Sequence, residues 1–189
     1  RSGATFLPAA AVGNDARPAM IIGGNTQAGM NAYNATSSVE AVGRDGRIWA
    51  LPSLQSARSN ARAFRLGDGV LVVGGQAARL HVDRDAAARA LPMEWLASSA
   101  LDGKASWVEV AGPGPSANGA LAQLRDGSLL EIGSAGVVTQ WKPVARHGAA
   151  GQPATLALEP HPWPRLNRDR RSTESSPVGV RELGDGRII

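Results

Sequence analysis

The chain has 189 residues, 43% of them apolar and 19% charged, and this balance is typical of a globular protein rather than a disordered one. It contains no cysteine, which excludes disulfides, thiolate catalysis and Cys-ligated zinc within this chain. The net charge of +4 comes almost entirely from arginine. Clustered lysines beside stacked aromatic residues, the usual footprint of nucleic-acid binding, are absent. The composition therefore predicts no nucleic-acid partner.

Apolar runs in the sequence are short. None approaches the roughly 20 residues that a membrane-spanning helix needs, so we expect no membrane span in this chain. No stretch of helical length carries a convincing helical repeat of apolar residues, whereas glycine and proline, the residues of tight turns, are frequent. The chain is therefore predicted to be all-β.

A unit that returns about every 58 residues runs through the chain. Similar stretches of sequence occur, in chain order, in the segments 20–24, 58–75, 124–133 and 183–189. A repeated supersecondary unit cannot bury its apolar face alone and needs a neighbouring unit to cover it. The period therefore predicts part of a stacked or circular array.

Three tryptophans stay in phase with this unit: Trp49, Trp107 and Trp163 are spaced by 58 and 56 residues. An indole is a large apolar plate with one N–H donor, and it suits the wedge between two adjacent sheets. We expect all three to fill such wedges.

Asp-Gly pairs and glycine pairs are the other landmarks of the unit. An Asp-Gly pair favours a tight hairpin because glycine accepts a positive φ. The apolar, mostly branched residues that follow predict a buried central strand, and the glycine pair that closes it lets the backbone approach closely. The Asp-Gly pairs are Asp68-Gly69, Asp126-Gly127 and Asp185-Gly186; the closing pairs are Gly23-Gly24 and Gly74-Gly75, with Gly133-Ser134 in third place.

In this order the residues resemble the kelch-repeat family of β-propellers, which includes galactose oxidase-like domains. The resemblance rests on Gly23-Gly24, Val39-Glu40, Trp49, Arg58 and Asp68-Gly69, and it covers nearly the whole chain. It implies a kelch-type β-propeller of which this chain holds about three blades. The expected divisions are a partial blade over 1–24 and repeats over 25–75, 76–133 and 134–189, the last incomplete. The remaining blades would come from the same or another chain.

The resemblance also implies a ligand-binding ring at the channel mouth. The residues that match it are Arg58, Asn60, Ser116, Asn118 and Arg171. Guanidinium and small polar groups would suit acidic peptides or sugar acids, because arginine binds carboxylates in a bidentate manner. The alternative is that these arginines brace loops through backbone carbonyls.

Other candidates carry less chemistry. The segment 165–171 is rich in arginine and would be either an anion site or a solvated loop. His81, His147 and His161 have no metal-ligand spacing, and no cofactor or metal is expected. Glu131 lies within an apolar strand and needs a partner if it is buried.

We therefore expect a non-catalytic kelch-type interaction module that binds a protein, peptide or glycan through its loops. The alternative is an enzyme on the same fold. A copper radical oxidase-like site would have to lie in blades outside this chain, which has no Cys and one Tyr, whereas a sugar mutarotase-like site could use arginine and carboxylates. The preference for arginine over lysine suggests a GC-rich bacterial gene, for which an extracellular or periplasmic location is the expectation.

Overall fold

The computed structural model describes residues 2–12, 15–27, 33–77, 91–97, 106–116, 119–133, 137–146 and 155–163. Within these ranges every regular element is a β-strand, so the predicted all-β class is confirmed. The chain divides into two compact units, Arg1–Glu109 and Val110–Ile189. None of the described segments forms a helix of the length and hydrophobicity needed to cross a membrane.

The first unit contains two four-stranded antiparallel sheets. Sheet 1 has the order β1-β4-β7-β8, and short hairpins, β2-β3 and β5-β6, extend the connections between its strands. Sheet 2 has the order β9-β10-β11-β12, so its neighbours in sequence are also its neighbours in space. The strands are β1 (Thr5–Leu7), β2 (Ala10–Val12), β3 (Asp15–Arg17), β4 (Ala19–Ile22), β5 (Asn25–Gln27), β6 (Tyr33–Ala35), β7 (Val39–Val42), β8 (Ile48–Leu51), β9 (Arg62–Leu66), β10 (Gly69–Val73), β11 (Glu94–Ala97) and β12 (Val108–Glu109).

The second unit contains sheet 3, a four-stranded antiparallel sheet with the order β13-β14-β15-β16. Its strands are β13 (Ala120–Gln123), β14 (Leu129–Ile132), β15 (Val138–Arg146) and β16 (Thr155–Trp163). The side chains of Ala120, Leu124, Leu130, Ile132 and Val138 form its apolar cluster. As predicted for central strands, β10 and β14 are buried along their whole length, on both faces.

The predicted repeats 25–75 and 76–133 each join two sheets rather than forming one. The segment 25–75 holds the last two strands of sheet 1 and the first two of sheet 2, and 76–133 holds the last two of sheet 2 and the first two of sheet 3. The divisions fall after the second strand because the glycine pair ends that strand. Chain connectivity therefore ties each sheet to the next.

Sheets 1 and 2 pack face to face and share one apolar core. Sheet 1 contributes Met20, Ile22 and Val39 from one face, and sheet 2 contributes Val72 and Leu96 from the facing side, all of them fully or almost fully buried. In a twisted sheet, alternate residues of a strand point to opposite faces, so each strand offers every second side chain to this core.

Only one of the three tryptophans fills a wedge between sheets. Trp107 is 0% exposed within the shared core, and its indole N–H donates to the carbonyl of Pro52 over 2.8 Å. Trp49 and Trp163 are 37% and 38% exposed, so the expectation for these two is wrong.

Strand register explains the difference between the tryptophans. Equivalent places in the three sheets are found by counting back from the glycine that ends the second strand and following the paired residues across to the fourth strand. By this count, the place of Trp49 in sheet 1 corresponds to Val108 in sheet 2 and to His161 in sheet 3. Trp107 lies one residue before its corresponding place. A shift of one residue moves a side chain to the other face of a sheet. The spacing along the sequence is regular, but the faces on which the indoles lie are not.

The Asp-Gly pairs form two different turns. In the second pair, Gly127 has φ +83° and closes the loop between β13 and β14, as expected. In the first pair the prediction is wrong, because Gly67 and Asp68 form the two-residue turn and Gly69 already begins β10 opposite Leu66. Gly69 is required for another reason: a Cβ there would lie 2.4 Å from the indole nitrogen of Trp95. The third pair, Asp185-Gly186, lies outside the described residues.

The shared core predicts a large difference between two isoleucines of sheet 1. Ile22 is 1% exposed, whereas Ile48 is 60% exposed. Ile22→Ala should lower the free energy of unfolding by about 2–5 kcal/mol, because it removes buried methyl groups and leaves a cavity. Ile48→Ala should change it by less than about 0.5 kcal/mol. Urea unfolding followed by tryptophan fluorescence measures both, and equal effects would contradict the assignment of the core.

The turn between β13 and β14 predicts a local acid dependence of stability. The pKa of the Asp126 carboxyl lies below its ordinary value of 3.8, because the hydroxyl and the backbone amide of Ser128 donate to it. The folded protein therefore keeps this carboxylate ionised at a pH where the unfolded chain is already protonated, and the stabilisation is present above pH 3.8 and lost as pH falls through the folded-state pKa.

Asp126→Asn should accordingly reduce the loss of stability between pH 7 and pH 3, measured by urea unfolding at several pH values. If wild type and variant lost the same stability over this range, Asp126 would not contribute in this way.

Candidate functional site

The predicted site residues fall in different parts of the chain. Arg58 and Asn60 lie in the connection that leads from β8 to β9, and Ser116 lies before β13 in the second unit. Asn118 and Arg171 are outside the described residues, as are His81, His147 and the basic segment 165–171. The structure therefore describes this site mainly at one end of sheets 1 and 2.

At that end, the segments before β1 and β9 pair with the segments after β4 and β10. Ser2 forms a β-bridge with Asn25, and Ser59 forms the corresponding bridge with Gln76. The amide of Asn60 also donates to the carbonyl of Gly3 over 2.8 Å, which links the two sheets. These backbone groups thus satisfy one another, and the side chains of Ser2, Asn25, Asn60 and Gln76 remain exposed or half-buried.

Glycine pairs make this close approach possible. The amide of Gly24 donates to the carbonyl of Arg58 over 2.9 Å, and a Cβ on Gly23 would lie only 2.3 Å from that same oxygen. Gly75 is similarly confined, since a Cβ there would lie 2.9 Å from the carbonyl oxygen of Ser59. All three glycines also have positive φ. The role predicted for the glycine pairs is confirmed in sheets 1 and 2.

Four polar side chains, Ser2, Asn25, Asn60 and Gln76, are exposed or half-buried at this end, and we call them the polar rim. Their hydroxyl and amide groups can both donate and accept hydrogen bonds. Asn60 has φ +54°, and among the described residues it is the one residue other than glycine in the left-handed region. That conformation carries a modest energetic cost in residues other than glycine and often marks functional positions.

Arg58 does not belong to the exposed rim. Its side chain is completely buried, and its guanidinium donates to the carbonyls of Gly74 and Pro92, each over 2.9 Å, and to the carboxylate of Glu94. This is the geometry of the bracing alternative. Ligand contact by Arg58 stays a prediction.

Glu94 completes a buried ion pair with Arg58. Its carboxylate also accepts the backbone amides of Gln55 and Ser56, at 2.6 and 3.1 Å. Burial lowers the pKa of the Arg58 guanidinium, and the neighbouring Glu94 charge opposes that shift. Three segments of chain meet at this pair: the connection 55–58, Gly74, and the segment 92–94 that leads into β11. The pair therefore holds in place the loops that carry the polar rim.

Ser116 has a different environment in the second unit. Its backbone amide donates over 2.8 Å to the carboxylate of Glu131, which is 8% exposed and also accepts the indole N–H of Trp141 over 2.9 Å. The buried Glu131 thus has the partners that its position in an apolar strand requires. The bond from the Ser116 amide ties the segment before β13 to β14.

Glu94, Ser2, Asn25 and Gln76 were missed as contributors to this end. Glu94 could have been found, since it stands in the Val-Glu place of the repeat that Glu40 holds in sheet 1. The other three belong to no sequence motif. They come together because distant segments of the chain pair with one another. Ser2 and Asn25, for example, are more than twenty residues apart, and the repeat period alone does not reveal such a pairing.

No group of three or more potential metal ligands occurs among the described residues. His161 lies exposed on β16, opposite Gln140. No protein-family model matches the chain, and no curated protein matches it either. Its functional assignment therefore depends on the geometry of the sheets and their loops.

The buried ion pair predicts non-additive effects on stability. Arg58→Met leaves the Glu94 charge buried without its guanidinium and should cost about 3–5 kcal/mol. Adding Glu94→Gln removes that charge, so the double variant should be less destabilised than the sum of the two single variants. Chemical denaturation of the four proteins gives the coupling free energy, and additive effects would show that the two groups do not depend on each other.

Proposed function

We propose that the chain is part of a kelch-type β-propeller and acts as a non-catalytic interaction module that binds a protein, peptide or glycan. The architecture supports this proposal in three ways. Sheets 1, 2 and 3 are each four-stranded and antiparallel, sheets 1 and 2 pack face to face, and sequence repeats join successive sheets. A propeller has these same local features.

The polar rim is the observation that carries the binding role. Ser2, Asn25, Asn60 and Gln76 come together from two sheets, at the end where their backbones are already paired. Loops on a rigid scaffold are the usual place for binding residues, because the scaffold fixes their positions. The buried Arg58–Glu94 pair supplies this rigidity.

The chemistry of the rim favours neutral ligand groups. The buried guanidinium of Arg58 is engaged by Glu94 and by backbone carbonyls, so the groups that face outward are amides and a hydroxyl. Such groups bind peptide units and sugar hydroxyls by paired hydrogen bonds. We therefore propose a peptide or glycan that presents amide or hydroxyl groups, in place of the acidic ligand that an exposed arginine ring would select.

Asn60→Gly separates binding from folding. Glycine accepts φ +54° without strain, so the variant should fold at least as stably as wild type, while the amide group is lost. Binding of purified wild type to printed peptide and glycan arrays identifies the ligand, and its affinity for Asn60→Gly should then fall roughly tenfold, as expected when a ligand loses its hydrogen-bond partner.

Gln76→Ala tests a second rim residue, because its bridge to Ser59 uses backbone atoms and survives the substitution. Gln123→Ala, on the exposed side of β13, is the matched control. Array binding that was unchanged in both rim variants, or absent in wild type, would contradict the proposal.

A further inference from the structure

The last strand of each four-stranded sheet, which is β8, β12 or β16, lies at a sheet edge. These three strands differ in how their edges are protected. Among the described residues each pairs with a neighbour on one side only. A free strand edge can accept another strand, and proteins commonly block it with proline, charge or short length. The strand β16 contains Pro160 and Pro162, and β12 is only two residues long. Proline thus interrupts the second half of β16, and β12 offers only two residues to a further strand.

The strand β8 is also short, but no residue within it blocks the edge. Its sequence Ile-Trp-Ala-Leu contains neither proline nor a charged residue. Ile48 is 60% exposed and Trp49 is 37% exposed, and as consecutive strand residues they lie on opposite faces. A strand added to this edge would therefore find an apolar contact on each face.

Backbone groups on this edge have a defined direction. The amide of Gly43 donates to the carbonyl of Arg47, which makes these residues a hydrogen-bonded pair at the turn between β7 and β8. Hydrogen-bonded pairs alternate along an antiparallel ladder, so Ala41 and Trp49 form the next such pair. The N–H and C=O groups of Ile48 and Ala50 consequently point away from β7, where an added strand would meet them.

Charge at one end of β8 selects among possible occupants. Arg44 and Arg47 are exposed at the turn that precedes the strand. The nearby Asp45 carboxylate accepts the backbone amide of Arg47. A strand added antiparallel to β8 places its C-terminal end beside this turn, so acidic residues there would be favoured by the two guanidinium groups.

The small size of the edge favours a peptide over a second folded copy. Four residues extend about 14 Å, at about 3.4 Å for each residue. Contact over that length falls below the roughly 1,200 Å² that a stable interface between folded proteins usually buries. Extended peptides bind through such short edges because main-chain hydrogen bonds supply much of the affinity.

We propose that the free edge of β8 binds an extended peptide segment of a partner protein by strand addition. The segment carries β-branched side chains, which offer methyl groups to Ile48 on one face and to Trp49 on the other, and acidic residues at its C-terminal end. This surface is separate from the polar rim and belongs to a strand rather than to loops.

Fluorescence anisotropy with a labelled peptide tests the proposal on the full chain. The probe is Thr-Val-Thr-Val-Glu-Glu, and the comparison peptide is Thr-Val-Thr-Val-Lys-Lys. The acidic probe should bind the wild type more tightly at low salt, and the difference should shrink at high salt because these charges are exposed. Absence of binding to the acidic probe, or equal affinity for both peptides at low salt, overturns the proposal.

Ala50→Pro removes an outward N–H, and Ala50→Val is the matched control that keeps it. Ala50→Pro should weaken binding roughly tenfold or more, and Ala50→Val should bind nearly as well as wild type. Circular dichroism and the melting temperature establish that both variants fold. If Ala50→Pro does not fold, two versions of the acidic peptide replace it, one methylated at the odd-numbered backbone nitrogens and one at the even-numbered nitrogens. One version should bind the wild type weakly, because its methyl groups replace the N–H groups that face β8, and the other should bind normally.

Three further outcomes overturn the proposal. These are equal binding by Ala50→Pro and wild type, equal binding by all methylated peptides, and a concentration-dependent dimer that Ala50→Pro abolishes, since the last would make a second copy the occupant. Asn60→Gly should bind the acidic probe like wild type, so failure of this proposal is distinguishable from failure of the rim.

Discussion

The face-to-face packing of sheets 1 and 2, fixed at one end by the buried Arg58–Glu94 pair, is the constraint on which the first unit depends. The shared apolar core holds the two sheets together, and burial of that area supplies the main favourable free energy. The ion pair adds a polar constraint at one end, because three separate segments, 55–58, Gly74 and 92–94, must meet at it to satisfy the two charges.

This arrangement connects folding with the candidate function. The carbonyl of Arg58 accepts the amide of Gly24, while its guanidinium binds inward. The same short connection then turns through Asn60 into β9, and its backbone reaches Gly3 before sheet 1. A residue predicted to contact ligand is thus found holding the loops that place other polar residues outward. In this account, Arg58 would affect binding through the position of the rim.

The sequence predicted the features that depend on local chemistry. The all-β class, the buried strands β10 and β14, and the close approach at Gly23 and Gly75 follow from side-chain size and the freedom of glycine, which a sequence displays directly. The faces occupied by Trp49 and Trp107 depend on strand register instead, and a difference of one residue in loop length reverses them. Gly69 shows the same limit, since its requirement comes from the indole of Trp95 across the sheet. Most of the polar rim was beyond prediction because its members meet only through long-range pairing.

We propose that the loops braced by Arg58 and Glu94 present a ligand-binding surface made of neutral polar groups. Nuclear magnetic resonance of the ¹⁵N-labelled chain, titrated with a ligand identified from the arrays, tests this surface. The side-chain amide resonances of Asn25, Asn60 and Gln76 should shift together, and the Nε resonance of Arg58 should keep its slow hydrogen exchange throughout. Shifts confined to other residues, or ligand-dependent exposure of the Arg58 guanidinium, would contradict the account.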